Sequence, residues 1–447
     1  MICIGLYKFG DEHASRLKNF EKHKKRFLVR LLGGKLERWR RDGDTSRTTE
    51  GERVSDDRER EQDNDAGRLA KAALLDDLLE AMKKLEKETR ACYAINSHEG
   101  DDMLSSMRSE DAVETMVVDG CFVVELLRLS YDLVHKKSTG EAIANDPIFT
   151  IPGILTTLRR DLLLLENQLP LFVLEELYKL INDSNNIDHQ QAVPLEELAI
   201  TFFGPLFPGQ NAASNLDTKK PKDHLLEVFH SAFLQSVSEK VRKKGNNRVK
   251  SQSKPNGSIV GLVLHFASEL EEAGVQFMKR KGHDLLDIEF GHGTLRVPPL
   301  SINDRTVSPL LNFVAYELKV DHLEPIFTNY LMFWNSLVNS PGDIQILHKH
   351  GIINNALGSN EAVANLLMKC REVIYDRSRG YLYNEIKEVN EYYERYYESK
   401  CRVWWRSLIR ERFSSPWTCL SLFAAIILLL LTALQAIYTV YPYNRWH

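Results

Sequence analysis

A long uncharged segment near the C-terminus constrains the fold of this chain more than any other feature. No charged residue lies between Ser414 and Asn444, and residues 418–441 read TCLSLFAAIILLLLTALQAIYTVY. A hydrocarbon core about 30 Å thick requires about 20 apolar residues, because each residue of a helix rises about 1.5 Å. The sequence therefore predicts a transmembrane helix over residues 418–441 and a short tail over residues 442–447.

The residues that flank this segment predict its orientation. Trp417 precedes the segment and tyrosines close it, as in the aromatic belts of membrane proteins. Basic residues gather on its N-terminal side, namely Arg402, Arg406, Arg410 and Arg412. The positive-inside rule then leaves the bulk of the chain in the cytoplasm. We expect a tail-anchored protein with a single span, located at the plasma membrane.

The composition is that of a folded protein close to neutrality. The chain has 447 residues, 58 of them Lys or Arg and 62 Asp or Glu, for a formal net charge of −4. A dedicated nucleic-acid binder is usually strongly basic, so no nucleic-acid partner is expected. The six cysteines are scattered and form no C-x-x-C motif, which argues against a disulfide framework or a zinc site. No cofactor is expected.

Apolar residues recur at steps of three and four through most of the chain, which predicts a mainly α, multi-helix globular domain. The apolar and polar residues alternate only around Gly291–Gly293, which predicts one short β-hairpin within residues 285–302. Residues 258–280 are predicted to be helical. The predicted organisation is an N-terminal helical segment (1–39), a charged disordered insertion (40–66), the main helical domain (67–382) and an amphipathic stalk helix (383–413).

A polar group interrupts the most apolar part of the main domain, where residues 159–180 read RRDLLLLENQLPLFVLEELYKL. Pro170 lacks a backbone donor and restricts the residue before it, so one helix should end within residues 161–168 and another begin at Leu171. Polar side chains are needed at a buried helix end, and Arg159 or Arg160 should neutralise a nearby carboxylate. We predict a structural polar joint formed by Asp161, Glu166, Asn167, Gln168 and Pro170.

A basic loop lies within residues 240–258, among glycines, asparagines and serines. Its basic residues are Lys240, Arg242, Lys243, Lys244, Arg248, Lys250 and Lys254. A solvated linker is the favoured interpretation, and a nuclear-localisation or anionic-lipid patch is the alternative.

No catalytic motif is found in the sequence. P-loop, H-E-x-x-H, G-x-S-x-G and kinase signatures are all missing. Cys121 follows Asp119 and Gly120 on an apolar helix face, where cysteine is usually core and glycine allows close packing. His348 and His350 diverge by about 200° on a helix, so a shared metal site is not expected. The sequence predicts no enzyme.

Several motifs together resemble those of a known family. They are DLLLLENQLPLFVLEELY, IGLYKFGDE, EKHKKRFLVRLL, VVDGCFVVELL, LDIEFGHGTLRVPPLSINDRT, GIINNALGSNEAVANLL and SSPWTCLSLFAAIILLLLTALQAIYTVY. In this order and over nearly the whole chain, they strongly resemble the plant family called domain of unknown function 247.

The resemblance implies a mostly helical plant protein with a C-terminal membrane anchor and no established enzymatic activity. It also implies a link to self-incompatibility, with which some members in grasses are associated. The resulting hypothesis is a membrane-anchored interaction or scaffold protein in cell recognition or signalling. The alternative is an enzyme of unfamiliar type with a polar pocket around Glu166–Gln168. The sequence predicts neither the protein partner nor the oligomeric state.

Overall fold

The structure is a computed structural model that describes residue 4 and residues 14–32, 57–94, 107–135, 146–184, 192–207, 221–236, 264–281, 284–320, 323–371, 380–398 and 416–440. Within these ranges the chain is mainly helical. The helices of the first half are α1 (Ala14–Leu31), α2 (Asp57–Ala94), α3 (Ser109–Val134), α4 (Pro147–Thr150), α5 (Ile154–Asp161), α6 (Leu171–Ser184), α7 (Leu195–Phe203) and α8 (Leu225–Ser236).

The second half adds short strands to further helices. The helices are α9 (Ala267–Glu272), α10 (Asp304–Lys319), α11 (Ile326–Leu337), α12 (Pro341–Lys349), α13 (Asn360–Arg371), α14 (Tyr383–Glu398) and α15 (Pro416–Val440). The strands are β1 (Gln276–Lys279), β2 (Glu289–Gly291), β3 (Thr294–Val297), β4 (Leu300–Ile302) and β5 (Ile353–Asn355).

Helix α3 lies at the centre of the first half. Helices α1, α2, α6 and α7 all pack against it, and most of its residues from Ala112 to Asp132 are buried. A helix that is apolar on all sides is stable only when it is surrounded in this way. A Cβ at Gly120 would collide with the side chain of Leu177 on α6. The glycine therefore allows α3 and α6 to approach closely.

One apolar core joins the two halves. A continuous cluster of buried side chains extends from Ile4 to Val389. Phenylalanines fill its middle, where Phe313 on α10 lies 4.6 Å from Phe327 on α11 between ring centroids. Helix α5, which precedes residues 162–170, packs against α10 of the second half.

The strands form two small sheets. In the first, β1 is parallel to β3 and β2 is antiparallel to β3, in the order β1-β3-β2. The β2–β3 turn consists of His292 and Gly293, with φ of 53° and 75°, and this is the left-handed geometry that short hairpins favour. The hairpin predicted within residues 285–302 is present. In the second sheet, β4 is parallel to β5.

Two sequence predictions of local structure need correction. The segment predicted as helix over residues 258–280 contains strand β1, because its four residues gain their hydrogen bonds from the distant strand β3 rather than from a local repeat. Helix α2 begins at Asp57, inside the predicted disordered insertion (40–66), since glutamate, arginine and glutamine have high helix propensity and sustain a helix without an apolar stripe. Residues 40–56 lie outside the described residues.

The C-terminal helix α15 covers most of the segment predicted to span a membrane. In the part of the chain that the structure describes, no helix is long and apolar enough to make such a crossing. The predicted transmembrane helix (418–441), its single-span anchor, the tail-anchored topology and the plasma-membrane location are therefore corrected and find no support.

Candidate functional site

The predicted polar joint is an irregular, mostly buried segment between two helices. Helix α5 ends at Asp161, the first residue of the range in which the sequence predicted a helix end, and helix α6 begins at Leu171. Leu162, Leu163 and Leu169 in the connection are almost fully buried. Backbone groups in such a segment have no helical partners and need other hydrogen bonds.

Two amide side chains supply these bonds. Asn167 donates from Nδ2 to the Asp161 carbonyl at 2.8 Å, and its Oδ1 accepts from the backbone N–H of Ile4. Gln168 donates from Nε2 to two carbonyls of the connection, each at 2.8 Å. Its Oε1 accepts from the backbone N–H of Leu226 at 3.2 Å. Both side chains therefore bond the protein's own backbone.

Other elements also bond the joint. Tyr93 on α2 donates its hydroxyl to the Gln168 carbonyl at 2.6 Å. The backbone N–H of Leu165 donates to Asn312 Oδ1 on α10 at 2.8 Å. Pro170 forms an isolated antiparallel bridge with His224, just before α8. The joint thus ties together segments that are far apart in the sequence.

The charges of the joint are divided between its interior and its surface. Asp161 is fully buried and pairs with Arg160 at 3.0 Å. Arg159 donates to the Phe202 carbonyl at 2.6 Å, and burial lowers the pKa of its guanidinium. Glu166 is exposed, so it faces solvent while the two amides beside it are buried.

A cavity occurs elsewhere in the described chain and is almost entirely apolar. Its volume is about 20 Å³. Its lining includes Leu300, Leu310, Leu331, Leu367, Tyr330 and Trp334. A space of this size holds about one water molecule, which is far too little for a substrate.

Cys121 and its neighbours have structural surroundings. Cys121 is fully buried, and burial raises the pKa of its thiol to about 12. A thiol in that state is a poor nucleophile, since the thiolate is the reactive form. Asp119 forms a 2.7 Å ion pair with Lys24 on α1, and both side chains are buried.

The Lys24 pair belongs to a charge network between α1 and its neighbours. Burial opposes the charge on Lys24, but Asp119 and Glu21 together raise the pKa of its ammonium group. Further along α1, Arg26 and Arg30 contact the Asp146 carboxylate at 2.7 Å and 3.1 Å. Sequence reasoning missed this network. The available signal was an acidic residue inside the apolar run of α3.

A second buried polar group was also missed, at the N-terminus of α11. Glu317 on α10 accepts hydrogen bonds from the backbone N–H groups of Phe327 and Thr328 at 2.9 Å and 2.8 Å. The Thr328 hydroxyl donates to it at 2.7 Å, and His230 Nε2 lies 3.1 Å from its other oxygen. One carboxylate from α10 therefore caps α11 and holds α8 against both.

The two histidines for which no shared metal site was expected lie close together in the sequence but contact different groups. His348 and His350 have separate partners, because His348 Nδ1 lies 3.0 Å from the Ile353 carbonyl and His350 Nε2 lies 3.4 Å from Glu271. Among the described residues, no group of three or more His, Cys, Asp or Glu is arranged to hold a metal ion. Residues outside the description include those of the basic loop and the arginines of the C-terminal flank, together with the Trp417 side chain.

Comparison with known proteins places the chain in a family. The family DUF247, described as "Plant protein of unknown function", matches residues 1–431. The chain belongs to this family. The resemblance inferred from the sequence motifs is confirmed, and the DUF247 assignment covers the joint, both sheets and nearly all helices.

Two curated Arabidopsis thaliana proteins are similar to this DUF247 member. The UPF0481 protein At3g47200 is 26% identical over 99% of this chain and 82% of its own length. The putative UPF0481 protein At3g02645 is 27% identical over 39% of this chain and 32% of its own length. No solved structure matches the chain. These descriptions name no activity and no partner, so the implied role in self-incompatibility finds no support.

Proposed function

We propose that this DUF247 member is a non-catalytic interaction protein, whose helical body presents helix α15 as its contact surface. The observation that carries the proposal is the exposure of large apolar side chains along α15. They are Leu420, Phe423, Ile426, Ile427, Leu428, Leu429, Leu430, Leu431, Leu434 and Ile437. Continuous apolar surface of this kind marks a contact with another molecule, because water solvates it poorly.

The polar joint supports the same proposal over the enzyme alternative. A catalytic site needs polar groups that are free to bind a substrate. At the joint, the side-chain amides of Asn167 and Gln168 form hydrogen bonds with backbone groups of the chain. Asp161 forms an ion pair with Arg160. This arrangement favours a scaffold role for the segment around Glu166–Gln168.

The chemistry of α15 indicates how the contact is made. Residues 416–440 contain no charged side chain. Recognition by apolar packing changes little when salt screens charges, unlike recognition by ion pairs. We propose a protein partner with a complementary apolar surface, whose binding persists in 1 M salt.

A photo-crosslinking experiment tests this function. A benzophenone-bearing amino acid replaces Phe423 on α15 or, as the control, Glu80 on α2, and both native side chains are exposed. After irradiation of intact cells, the Phe423 position should yield discrete protein adducts and the Glu80 position should not. Adducts to lipid alone, or no adducts, would overturn the proposal.

A further inference from the structure

We propose that α15 pairs in parallel with α15 of a second copy of this chain. The inference rests on the proposed function, because it names the partner of the same contact helix. It predicts a homodimer whose two helical bodies are held by one pair of helices.

Two rows of large apolar side chains define the pairing face. Within each row the residues are seven apart, and the rows are offset by three residues. The rows are Leu420, Ile427 and Leu434, and Phe423, Leu430 and Ile437. Each of these side chains is at least 51% exposed. This spacing corresponds to the a and d positions of a heptad, which repeatedly face a partner helix.

The polar residues of α15 lie away from this face. Ser421 and Gln435 occupy b positions, and Thr432 and Thr439 occupy f positions. The threonine hydroxyls donate to the carbonyls of Leu428 and Gln435, each at 2.6 Å. Both threonine hydroxyls therefore have hydrogen-bond acceptors within the helix.

Exposure alone does not select the face, since Leu428, Leu429 and Leu431 are also exposed outside the two rows. What distinguishes the two rows is that both are free of polar and small residues along the described helix. In a parallel pair each residue of the rows meets its own copy across a two-fold axis, so both copies bury the same apolar face.

The available area is sufficient for a specific dimer. Six side chains per copy, each with roughly 100 Å² of exposed surface, would remove about 1,200 Å² from water. Specific interfaces begin at about this size. The pairing also covers apolar surface that the described part of the chain leaves exposed.

Cysteine crosslinking tests the pairing in the full chain. Single variants Ile427→Cys and Leu434→Cys place a thiol in the pairing face, which forms the seam between the two helices. The variant Thr432→Cys places a thiol on the opposite face. All carry Cys419→Ser, and a chain with only that change gives the baseline. Intact cells are oxidised with copper-phenanthroline, and dimers are quantified on non-reducing gels. Because a disulfide forms only between close Cα atoms, the seam variants should give at least about five times more dimer than Thr432→Cys.

The possible outcomes separate this inference from the proposed function. Equal dimer yields from the seam and the opposite face would overturn the pairing. Baseline yields from the seam, together with adducts to a different protein in the photo-crosslinking experiment, would overturn the pairing and leave the interaction role standing. Baseline yields without any protein adduct would overturn both.

Discussion

His224 shows how burial changes the acid–base behaviour of a single residue. Its Nδ1 accepts a hydrogen bond from the Glu227 backbone N–H at 3.1 Å. Burial lowers the pKa of the imidazole to about 4, with Asp223 opposing the shift and Lys319 adding to it. The folded chain therefore favours the neutral form of the His224 ring.

This pKa predicts a loss of stability in acid. The unfolded chain protonates His224 near the ordinary pKa of 6.5, whereas the folded chain does so only near 4. The contribution of neutral His224 is thus complete above pH 6.5 and disappears as the pH falls to 4. It amounts to at most about 3 kcal/mol, since the ring is partly exposed.

The variant His224→Asn provides the matched comparison. Asparagine retains an acceptor for the Glu227 N–H and does not titrate in this range. Free energies of unfolding in urea, measured from pH 7.5 to 4, should fall less steeply for the variant than for the natural chain. Equal pH dependence of the two proteins would contradict the assignment.

At the scale of elements, Glu317 joins three helices through one carboxylate. It caps the N-terminus of α11, where the helix dipole favours negative charge, and contacts His230 on α8. The variant Glu317→Ala leaves two backbone N–H groups without an acceptor in a buried site. We expect it to lower the free energy of unfolding by about 2–4 kcal/mol.

An exposed carboxylate serves as the control for this prediction. Glu391 on α14 is half exposed and lies 3.7 Å from Lys387. Because exposed pairs contribute little, Glu391→Ala should change the free energy of unfolding by less than about 0.5 kcal/mol. Urea denaturation of both variants checks the comparison, and similar losses in the two would argue against a special role for Glu317.

At the scale of the whole molecule, the joint connects distant parts of one core. Replacement of Gln168 by leucine keeps a similar volume but leaves the Leu162 and Leu164 carbonyls and the Leu226 N–H without this partner. We expect a loss of about 2–4 kcal/mol in the free energy of unfolding. Hydrogen exchange should increase together in α6 and α8 rather than near the substitution alone.

Glu166→Gln is the matched control, because Glu166 is exposed two residues away. Its exchange pattern should equal that of the natural chain. If Gln168→Leu accelerates exchange only within residues 162–169, the joint is a local cap and does not couple the helices.

Sequence patterns predicted local features better than long-range ones. The apolar repeat around Cys121 predicted buried helix α3, and Gly291–Gly293 predicted the hairpin turn. The partners of the two amides of the joint were not predicted, because Ile4 and Leu226 lie far from Asn167 and Gln168 in the sequence.

The buried pairs were hidden from sequence reasoning for a similar reason. His230 and Glu317 are 87 residues apart, and no local period relates them. The apolar content of residues 418–441 predicted the helix α15 but misled the assignment of a membrane span, which the described residues do not support.

The hydrogen bonds of the joint also set an order of events during protein synthesis. Residues 161–170 leave the ribosome well before Leu226 and Asn312, which supply two of their bonds. Until those residues emerge, the Gln168 amide and the Leu165 N–H lack these native partners. Residues 161–170 of the nascent chain therefore lack part of their native hydrogen bonds during a large part of translation. The native structure of this connection is completed late.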